Sequence, residues 1–457
     1  MKYTILFLIS LSFISCAKYS HIKYSYDINK TYTTKIPSFY TNEKPLFKTK
    51  NDANLELYLD EVVKNNNNLK VLRLTKKSLQ KNISIVRAGV YPSGSLSVNY
   101  IQTKESLNEE FSSSVGTNIV MNWDLDIWEK LSDEISSSTY EYEGTQNRYL
   151  EERRILILNA TIDWINYWYL SQLLKNQDLL LDTYSKLETH YLEESQSGLS
   201  ERFFYLDARR AKESVQSAVF EISLNLIKLR QQLNIYRGNK SDAPLLINSK
   251  ESIIPIFLDT KNLNLSSIYL GERYDVRSAF AIFNAFVFSE KASYKALLPQ
   301  INFSISGAKS SKTISKIFSG DVIWELIDGV TQPIFHSNQL LNIAKEKSIQ
   351  SEMMWLQYQE SILQAYLEIE SAVESDKSLK KKLKHKEEFY SHLQDALEIS
   401  KQKAMDGIFS FSDYLQEEAT TLYEKNNLLE VKTEYIKNRL RLMSAIGLPI
   451  IRNTDEK

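Results

Sequence analysis

The feature that most constrains this chain is the near absence of helix-breaking residues from two very long segments. Residues 336–404 contain neither proline nor glycine, and residues 128–196 contain no proline and a single glycine, Gly144. An α-helix rises 1.5 Å per residue, so ~65 residues form a helix of roughly 100 Å. Such a helix does not fit inside a compact globule, and each segment therefore requires partner helices along its whole side.

Apolar residues recur every seven positions in the segments that follow the two long ones. The recurring residues are Ala208, Val215, Ile222, Leu229 and Tyr236 in one segment, and Leu415, Leu422, Leu429, Ile436 and Met443 in the other. A sustained seven-residue repeat is typical of coiled-coil packing, and an ordinary antiparallel bundle is the alternative. Gly198 and Gly407 precede these segments, and glycine accepts the backbone angles that a chain reversal requires.

The chain also repeats itself. Residues 89–92 correspond to residues 296–299, and both segments end in proline, at an offset of 299 − 92 = 207. The tip glycines correspond at a similar offset, 407 − 198 = 209. Matches in one order at a nearly constant offset indicate an internal duplication. Each copy is predicted to form a helix, a β-hairpin, a long helix, a turn and a last helix.

Two strand-like segments follow each proline. Leu96, Val98 and Tyr100 alternate with polar residues in the first copy, and residues 301–305 alternate in the same way in the second. The return strands are predicted at about 113–123 and 320–332. Lengths near ten residues suit transmembrane β-strands, and solvated hairpins on a soluble domain fit them equally well.

Four strands are too few to close a membrane barrel, since the smallest barrels have eight. An open sheet edge in lipid leaves backbone groups unpaired. If the strands lie in a membrane, the chain must therefore oligomerise. Two, three or four copies would supply eight, twelve or sixteen strands.

The N-terminus has the pattern of a bacterial lipoprotein signal. A mostly apolar run from Ile5 to Ile14 follows Lys2 and is too short to span a bilayer. Ser15-Cys16 follows, and Cys16 is the single cysteine of the chain. We expect Cys16 to be lipidated and to begin the mature protein. An ordinary signal peptide that happens to contain a cysteine is the alternative.

These patterns divide the chain. The first helices are expected at about 52–90 and 274–297, because proline disfavours helix before it. The predicted segments are a signal peptide (1–15), a lipidated N-terminal tail (16–50), a first repeat (51–240), a linker or equatorial region (241–272), a second repeat (273–450) and a C-terminal tail (451–457).

Composition argues against several other classes of protein. The net charge is −1, which does not suggest a nucleic-acid partner. One cysteine and five scattered histidines predict no metal site, and no cofactor motif is present. The absence of catalytic motifs argues against an enzyme. A non-membrane coiled-coil scaffold would explain the heptads, but not the paired hairpins, the duplication or the signal peptide.

Four segments together resemble the TolC/OprM outer-membrane efflux family. Residues 120–128 (VMNWDLDIW) resemble the W-E-[LI]-D-[LI]-[FW]-G entry to the first long helix, and residues 331–335 (TQPIF) resemble the second-copy counterpart. Residues 272–277 resemble R-P-D-[IV]-R with Tyr274 in place of proline. Residues 407–415 resemble the tip motif G-x-x-S-[FY]-L-[DE]-x-L with Ser412 in place of leucine. The resemblance covers about residues 50–450.

The resemblance implies a mixed α+β membrane protein with an internal duplication. Its long α-helices would form a periplasmic α-barrel, and its four transmembrane β-strands per chain would contribute to a 12-stranded β-barrel in a homotrimer. It implies a lipid-anchored protein of the bacterial outer membrane that extends into the periplasm. The implied partners are a periplasmic adaptor (membrane fusion) protein and an inner-membrane transporter of the proton-driven RND type.

The implied function is a passive exit duct for drugs or other small toxic molecules. The alternative is the outer-membrane channel of a type I protein secretion or heavy-metal export system. Soft metal ions prefer thiolate and thioether ligands, and one cysteine with six methionines offers no relay for them.

Two kinds of site are expected at the tips of the helices. Adaptor contacts are expected from Gly198, Leu199 and Ser200 in the first copy, and from Gly407, Ile408 and Ser410 in the second. In the family an acidic ring often lies six residues after the second tip glycine. That position is Asp413, and its first-copy equivalent is Phe204. Asp406 and Phe409 are further candidates for this periplasmic gate; the alternative is that Asp413 is a solvated surface residue.

Overall fold

The computed structural model describes residues 53–104, 112–245, 270–271, 273–311, 321–331 and 337–447. Within these ranges the chain forms seven α-helices and four β-strands. In chain order they are α1 (Ala53–Asn65), α2 (Asn67–Ala88), β1 (Ser93–Thr103), β2 (Ser112–Leu125), α3 (Lys130–Gln196), α4 (Arg202–Tyr236), α5 (Tyr274–Lys295), β3 (Gln300–Ser311), β4 (Ile323–Thr331), α6 (Ser337–Met405) and α7 (Phe411–Ala445). The expected signal peptide, Cys16 and the C-terminal tail lie outside the described residues.

The two long helices follow the segments that lack breakers. Helix α3 has 67 residues and α6 has 69. The start of α3 is fixed by Asp126, whose carboxylate accepts the backbone N–H groups of Leu131 and Ser132 at 2.9 Å. Gly144 lies within α3 against α5, where an added Cβ would stand 2.6 Å from a methyl carbon of Ile282. The one glycine of this helix therefore permits close packing. No helix in the described part of the chain is both long and apolar enough to cross a bilayer.

The first helix of the first copy was predicted as one element and is two. Asn66 has extended backbone angles (φ −58°, ψ 126°), and its side chain accepts the N–H of Leu69 at 3.2 Å. An asparagine side chain competes with the helix for nearby backbone groups, so α1 ends and α2 begins at this residue. The corresponding helix of the second copy, α5, begins at Tyr274 as expected and ends at Lys295.

The four strands form one antiparallel sheet in the order β1-β2-β3-β4. Leu96 on β1 lies opposite Ile119 on β2, and Val120 on β2 lies opposite Ser306 on β3. The β2–β3 ladder therefore joins the two copies. In the described residues β1 and β4 pair on one side only, so each leaves an open edge.

The helices lie side by side in the same order as the strands. Helix α2 leads into β1, β2 leads into α3, α5 leads into β3, and β4 is followed by α6. Helix α3 contacts α2 and α5 near the sheet, and α4 and α7 farther from it; α6 contacts α5 and α7. Across the sheet the helices therefore form four columns. The first column is α2 continued by α4, the second is α3, the third is α5 continued by α7, and the fourth is α6. The two outer columns, α2 with α4 and α6 alone, therefore lie below the two edge strands, β1 and β4.

One contact is repeated where two helices meet end to end. Asn66 donates from Nδ2 to the carbonyl oxygen of Tyr236, the last residue of α4, at 3.0 Å. Arg273 donates from Nη1 to the carbonyl oxygen of Ala445, the last residue of α7, at 2.7 Å. The offsets, 273 − 66 = 207 and 445 − 236 = 209, are those of the duplication. Each copy therefore ties an upper helix to a lower one with an equivalent residue, although the side chains differ.

The core lies midway along the columns. One cluster of buried side chains joins α1 to α3 and to the ends of α4 and α7, with Trp164 among its members. A second cluster joins α5, α6 and α7 around Tyr358. Below it, Arg439 on α7 and Asp376 on α6 form a buried ion pair with Nη1 3.3 Å from both carboxylate oxygens. These contacts hold the four columns together at the level from which the two helical hairpins, α3–α4 and α6–α7, extend towards the tips.

Candidate functional site: the helical tips

The two chain reversals have the same backbone geometry. Gly198 and Gly407 have φ of +71° and +70°, in the left-handed region that glycine enters without a Cβ penalty. The N–H of Leu199 bonds the carbonyl of Glu194 at 2.8 Å, five residues back. In the second turn the N–H of Ile408 makes the equivalent bond, at 2.9 Å. Both helices therefore end in a glycine-dependent C-terminal cap.

The two turns lie beside each other, at the end of the helices remote from the sheet. The His190 ring on α3 meets the Phe411 ring on α7 edge to face, with 5.5 Å between centroids. Gln416 donates from Nε2 to the hydroxyl of Tyr191 at 2.8 Å. Because α3 ends at Gln196 and α7 begins at Phe411, these contacts fix the two tips against each other.

The residues expected to meet an adaptor line the outside of the turns. Leu199 is 80% exposed and Ile408 is 75% exposed, at equivalent positions of the two copies. Ser200 is half-buried. Ser410 is exposed and caps α7, since its hydroxyl accepts the N–H of Ser412 at 3.2 Å. Each tip thus presents one large, uncovered aliphatic side chain.

The residues expected to form a gate surround the second turn. Asp413 is exposed in the first turn of α7, where the helix dipole favours an acidic side chain. Asp406 is exposed and accepts a long hydrogen bond from Gln402, at 3.4 Å. Phe409 is half-buried, and its N–H bonds the carbonyl of Lys403 at 3.2 Å. These residues share one turn, and the described residues place no basic side chain within 4.0 Å of Asp413.

The first-copy equivalent of Asp413 is packed in a different way. The Phe204 ring stacks on Tyr191 with centroids 5.6 Å apart, and Phe203 meets it edge to face at the same distance. The first tip therefore carries an aromatic cluster where the second tip carries a carboxylate.

A polar seam between α3 and α7 was missed by the sequence analysis. Asn176 donates from Nδ2 to Oδ1 of Asn426 at 2.9 Å, and both side chains are buried. Two turns closer to the tip, the Thr183 hydroxyl donates to Glu418 at 3.0 Å. Burial, followed by the charge of Glu418, raises the pKa of the neighbouring Tyr414 hydroxyl. Asparagine on the apolar face of a coiled coil is a recognised register signal, and it was available in the sequence.

A small open cavity of about 370 Å³ lies beside the paired tips. Its lining residues are Ser185, Lys186, Thr189, His190, Glu193 and Phe411. Within the described ranges no three His, Cys, Asp or Glu side chains are grouped so that they could hold a metal ion.

A four-stranded sheet with two open edges, continued by four columns of helices with exposed tips, defines a subunit of an oligomeric channel. The chain belongs to the outer membrane efflux protein family, whose model matches residues 58–239 and 265–448. The fold class and the function predicted from the sequence, an outer-membrane efflux channel, are thereby confirmed.

Relatives of this family share sequence and fold with the chain. The cation efflux system protein CusC of Escherichia coli (strain K12) is 22% identical over 408 residues, which cover 87% of each chain. The Campylobacter jejuni CmeC outer membrane channel superposes with a TM-score of 0.77 at 18% identity, over 93% of this chain and 90% of that one. The open state of the Neisseria gonorrhoeae MtrE outer membrane channel gives 0.76 at 18% identity, over 88% and 90%.

Proposed function

We propose that this chain is the passive exit duct of a tripartite efflux pump and that it works as a homotrimer. One observation carries this proposal. The helical columns lie side by side in the same order as the strands, and both the sheet and the set of columns end in two open edges. Three copies joined edge to edge supply 3 × 4 = 12 strands, an even number within the range of membrane barrels. The same joining places α6 of one copy beside the α2 and α4 column of the next. Sheet and helices thus close into a continuous tube together, and no strand edge is left unpaired in lipid.

The tips are proposed to receive a periplasmic adaptor that links the duct to an inner-membrane transporter of the RND type. Leu199 and Ile408 support this assignment, because they lie at equivalent tip positions, are 80% and 75% exposed, and would be gathered by a trimer into one apolar patch of the kind that marks an interaction site. Three copies would present six such side chains in one ring. Gly198, Ser200, Gly407 and Ser410 shape the two turns that carry them.

The resting closure is proposed at the second tip. A threefold axis brings one copy of each residue together, so Asp413 would form a ring of three carboxylates. Like charges disfavour one another, and a proton, a cation or a basic partner must offset them. Asp406 and Phe409 would line the same constriction. Asp413→Ala should then change resting conductance or cation block in planar bilayers, whereas Asp395→Ala on α6 should leave both unchanged.

The N-terminus is proposed to anchor the duct in the outer membrane through an acylated Cys16. One acyl chain binds a bilayer only weakly, so stable anchoring needs further acylation or the sheet itself. Mass spectrometry of the mature protein should find acylated Cys16. A free N-terminus at Ala17 or beyond would contradict the proposal.

The cargo is proposed to be drugs or other small toxic molecules, and the protein is proposed to catalyse no reaction. Cation export is the second candidate, because CusC, a cation efflux system protein, is a relative over 87% of the chain. The two candidates share the duct and differ in the pump that feeds it.

The decisive experiment is deletion of the gene in its native host, followed by complementation. Loss of the duct should raise accumulation of a fluorescent dye and sensitivity to drugs, and wild-type protein should reverse both effects. Leu199→Asp with Ile408→Asp should assemble at wild-type level but fail to complement. Sensitivity to silver or copper alone would favour cation export. Unchanged responses to dyes, drugs and metals would overturn the proposed function.

A further inference from the structure

Helix α2 carries an unusual charge. It contains six basic residues and no acidic residue: Lys70, Arg73, Lys76, Lys77, Lys81 and Arg87. Arg73 and Lys76 turn towards α3, where they lie over the ring of Tyr149. Lys70, Lys77 and Lys81 are exposed, and the described residues give none of them an acidic partner. Among the residues that the structure describes, no acidic side chain offsets these three charges.

Aliphatic side chains share this outer face of α2. Val71, Leu74 and Ile85 are among the exposed large apolar residues. At 3.6 residues per turn they lie on the side that carries the three lysines, opposite the buried Leu69. A solvated helix face rarely combines uncovered aliphatic residues with charges of one sign. The pattern is that of an apolar contact strip with a charged margin.

Helix α6 presents the complementary face at the other open edge. Its residues Ala344, Ser351 and Tyr358 are buried within the chain, so the opposite side of the helix points away from it. That side carries exposed aliphatic residues: Ile349, Met353, Leu356 and Leu367. Its acidic residues include Glu346 and Glu360, whose only described partners are the amides of Gln350 and Gln364 on the same helix.

The two faces lie at the same height below the sheet. Helix α2 ends at Ala88, so Lys81 and Lys77 are 88 − 81 = 7 and 88 − 77 = 11 residues from the sheet end. Helix α6 begins at Ser337, so Glu346 is 346 − 337 = 9 residues from that end. At 1.5 Å per residue these positions are about 10, 16 and 14 Å down their helices. Glu346 thus falls between the levels of the two lysines.

We propose that successive copies of this chain join through these two faces, with Lys77 and Lys81 on α2 of one copy paired to Glu346 on α6 of the next. This inference rests on the proposed trimer and adds the contact that directs its assembly. An α2 face meeting another α2 face would place lysine against lysine, and two α6 faces would place glutamate against glutamate. The charges therefore favour head-to-tail joining, which closes a ring, over pairing of like edges.

The test reverses the charges on one face and then on both. Lys77→Glu with Lys81→Glu should lower the dissociation temperature of the detergent-solubilised trimer by on the order of 5 °C, because each substitution acts at three seams. Adding Glu346→Lys to the same chain should restore about half of the loss, because Glu346 lies between the levels of the two lysines. Arg148→Glu with Lys186→Glu changes the net charge equally on the inner column α3, away from both edge columns, and should leave the dissociation temperature unchanged.

A second measurement does not depend on the reversed variants. Raising the salt concentration to 1 M should lower the dissociation temperature of the wild type, but not that of Lys77→Gln with Lys81→Gln, because salt screens exposed pairs. A trimer that is insensitive to salt and to charge reversal would overturn the inference and leave the proposed function standing. Loss of stability without rescue by the α6 change would also overturn it. A wild-type protein that is not a trimer would instead overturn the proposed function.

Discussion

The lower halves of the two long helices differ although the duplication makes them equivalent. In α3, Leu180, Leu187 and Tyr191 are buried, and they pack against α4 and α7. In α6 no residue from 377 to 405 is buried. Leu180 is 0% exposed, whereas Phe389, at the equivalent position (389 − 180 = 209), is 47% exposed.

Column order explains this difference. Helix α3 is an inner column with neighbours on both sides, and α6 is an edge column that contacts α7 alone at this level. Duplicated sequence therefore does not produce duplicated burial. The uncovered side of α6 is the side on which the proposed trimer would place the next copy.

The largest effect is expected where α6 leaves the core. Asp376 is its last buried residue, and its ion pair with Arg439 has both side chains about 5% exposed. Asp376→Ala should cost about 3–5 kcal/mol of unfolding free energy in urea titrations, because it leaves a buried guanidinium without its carboxylate. Glu374→Ala, which removes an exposed pair with Lys377, should cost less than about 1 kcal/mol. Equal costs of the two substitutions would contradict the conclusion that α6 leaves the buried core at Asp376.

The next effect compares the equivalent positions directly. Leu180→Ala should cost about 2–5 kcal/mol, because it opens a cavity between α3, α4 and α7. Phe389→Ala should cost little in dissociated subunits and more in the assembled trimer, where the next copy covers α6. Urea unfolding above and below the dissociation concentration would separate the two states. A large cost of Phe389→Ala in dissociated subunits would break the comparison.

Much of the fold could be predicted because its signals are local. Helix α6 was expected at 336–404 and runs from Ser337 to Met405, since breakers and their absence act within a few residues. The strand at 113–123 was found at Ser112–Leu125, because alternation is read from neighbouring residues. The glycine-dependent turns were predictable for the same reason.

What could not be predicted depends on partners far away in sequence. Asn66 ends a helix and holds the carbonyl of Tyr236, 170 residues away, and no local pattern announces that pairing. The different environments of α3 and α6 follow from column order, which only tertiary packing defines. The roles of Asp413 and Leu199 stay predictions, because they depend on other copies and on another protein.

A smaller effect concerns the polar seam between α3 and α7, which joins the two helical hairpins. Asn176→Leu should cost about 1–3 kcal/mol, since it leaves the buried amide of Asn426 without its partner. The double variant Asn176→Leu with Asn426→Leu should recover most of this loss, because two apolar side chains can replace a buried polar pair. Urea unfolding of the two single variants and the double variant gives the coupling energy. Additive losses would show that the two amides do not depend on each other.

The smallest effect is a pH dependence confined to the second copy. Burial by itself would raise the pKa of Asp275, but the hydrogen bonds and charge of Arg273 outweigh it and hold the pKa below its usual value. A carboxyl whose pKa is lowered by folding stabilises the protein fully above its unfolded pKa, and this stabilisation is lost as the pH falls from there through the lower folded pKa. The first copy has the exposed amide of Asn68 at this position (275 − 68 = 207), so it has no counterpart.

Asp275→Asn should therefore lower the unfolding free energy at pH 7 by no more than about 1 kcal/mol, because Arg273 keeps its ion pair with Glu368 at 2.6 Å. The difference between wild type and variant should stay constant above about pH 5 and shrink towards pH 3. Asn68→Asp, which places a carboxyl at the equivalent position without an arginine before it, should add no comparable acid sensitivity. A difference that does not change between pH 7 and pH 3 would mean that the Asp275 charge contributes nothing to stability.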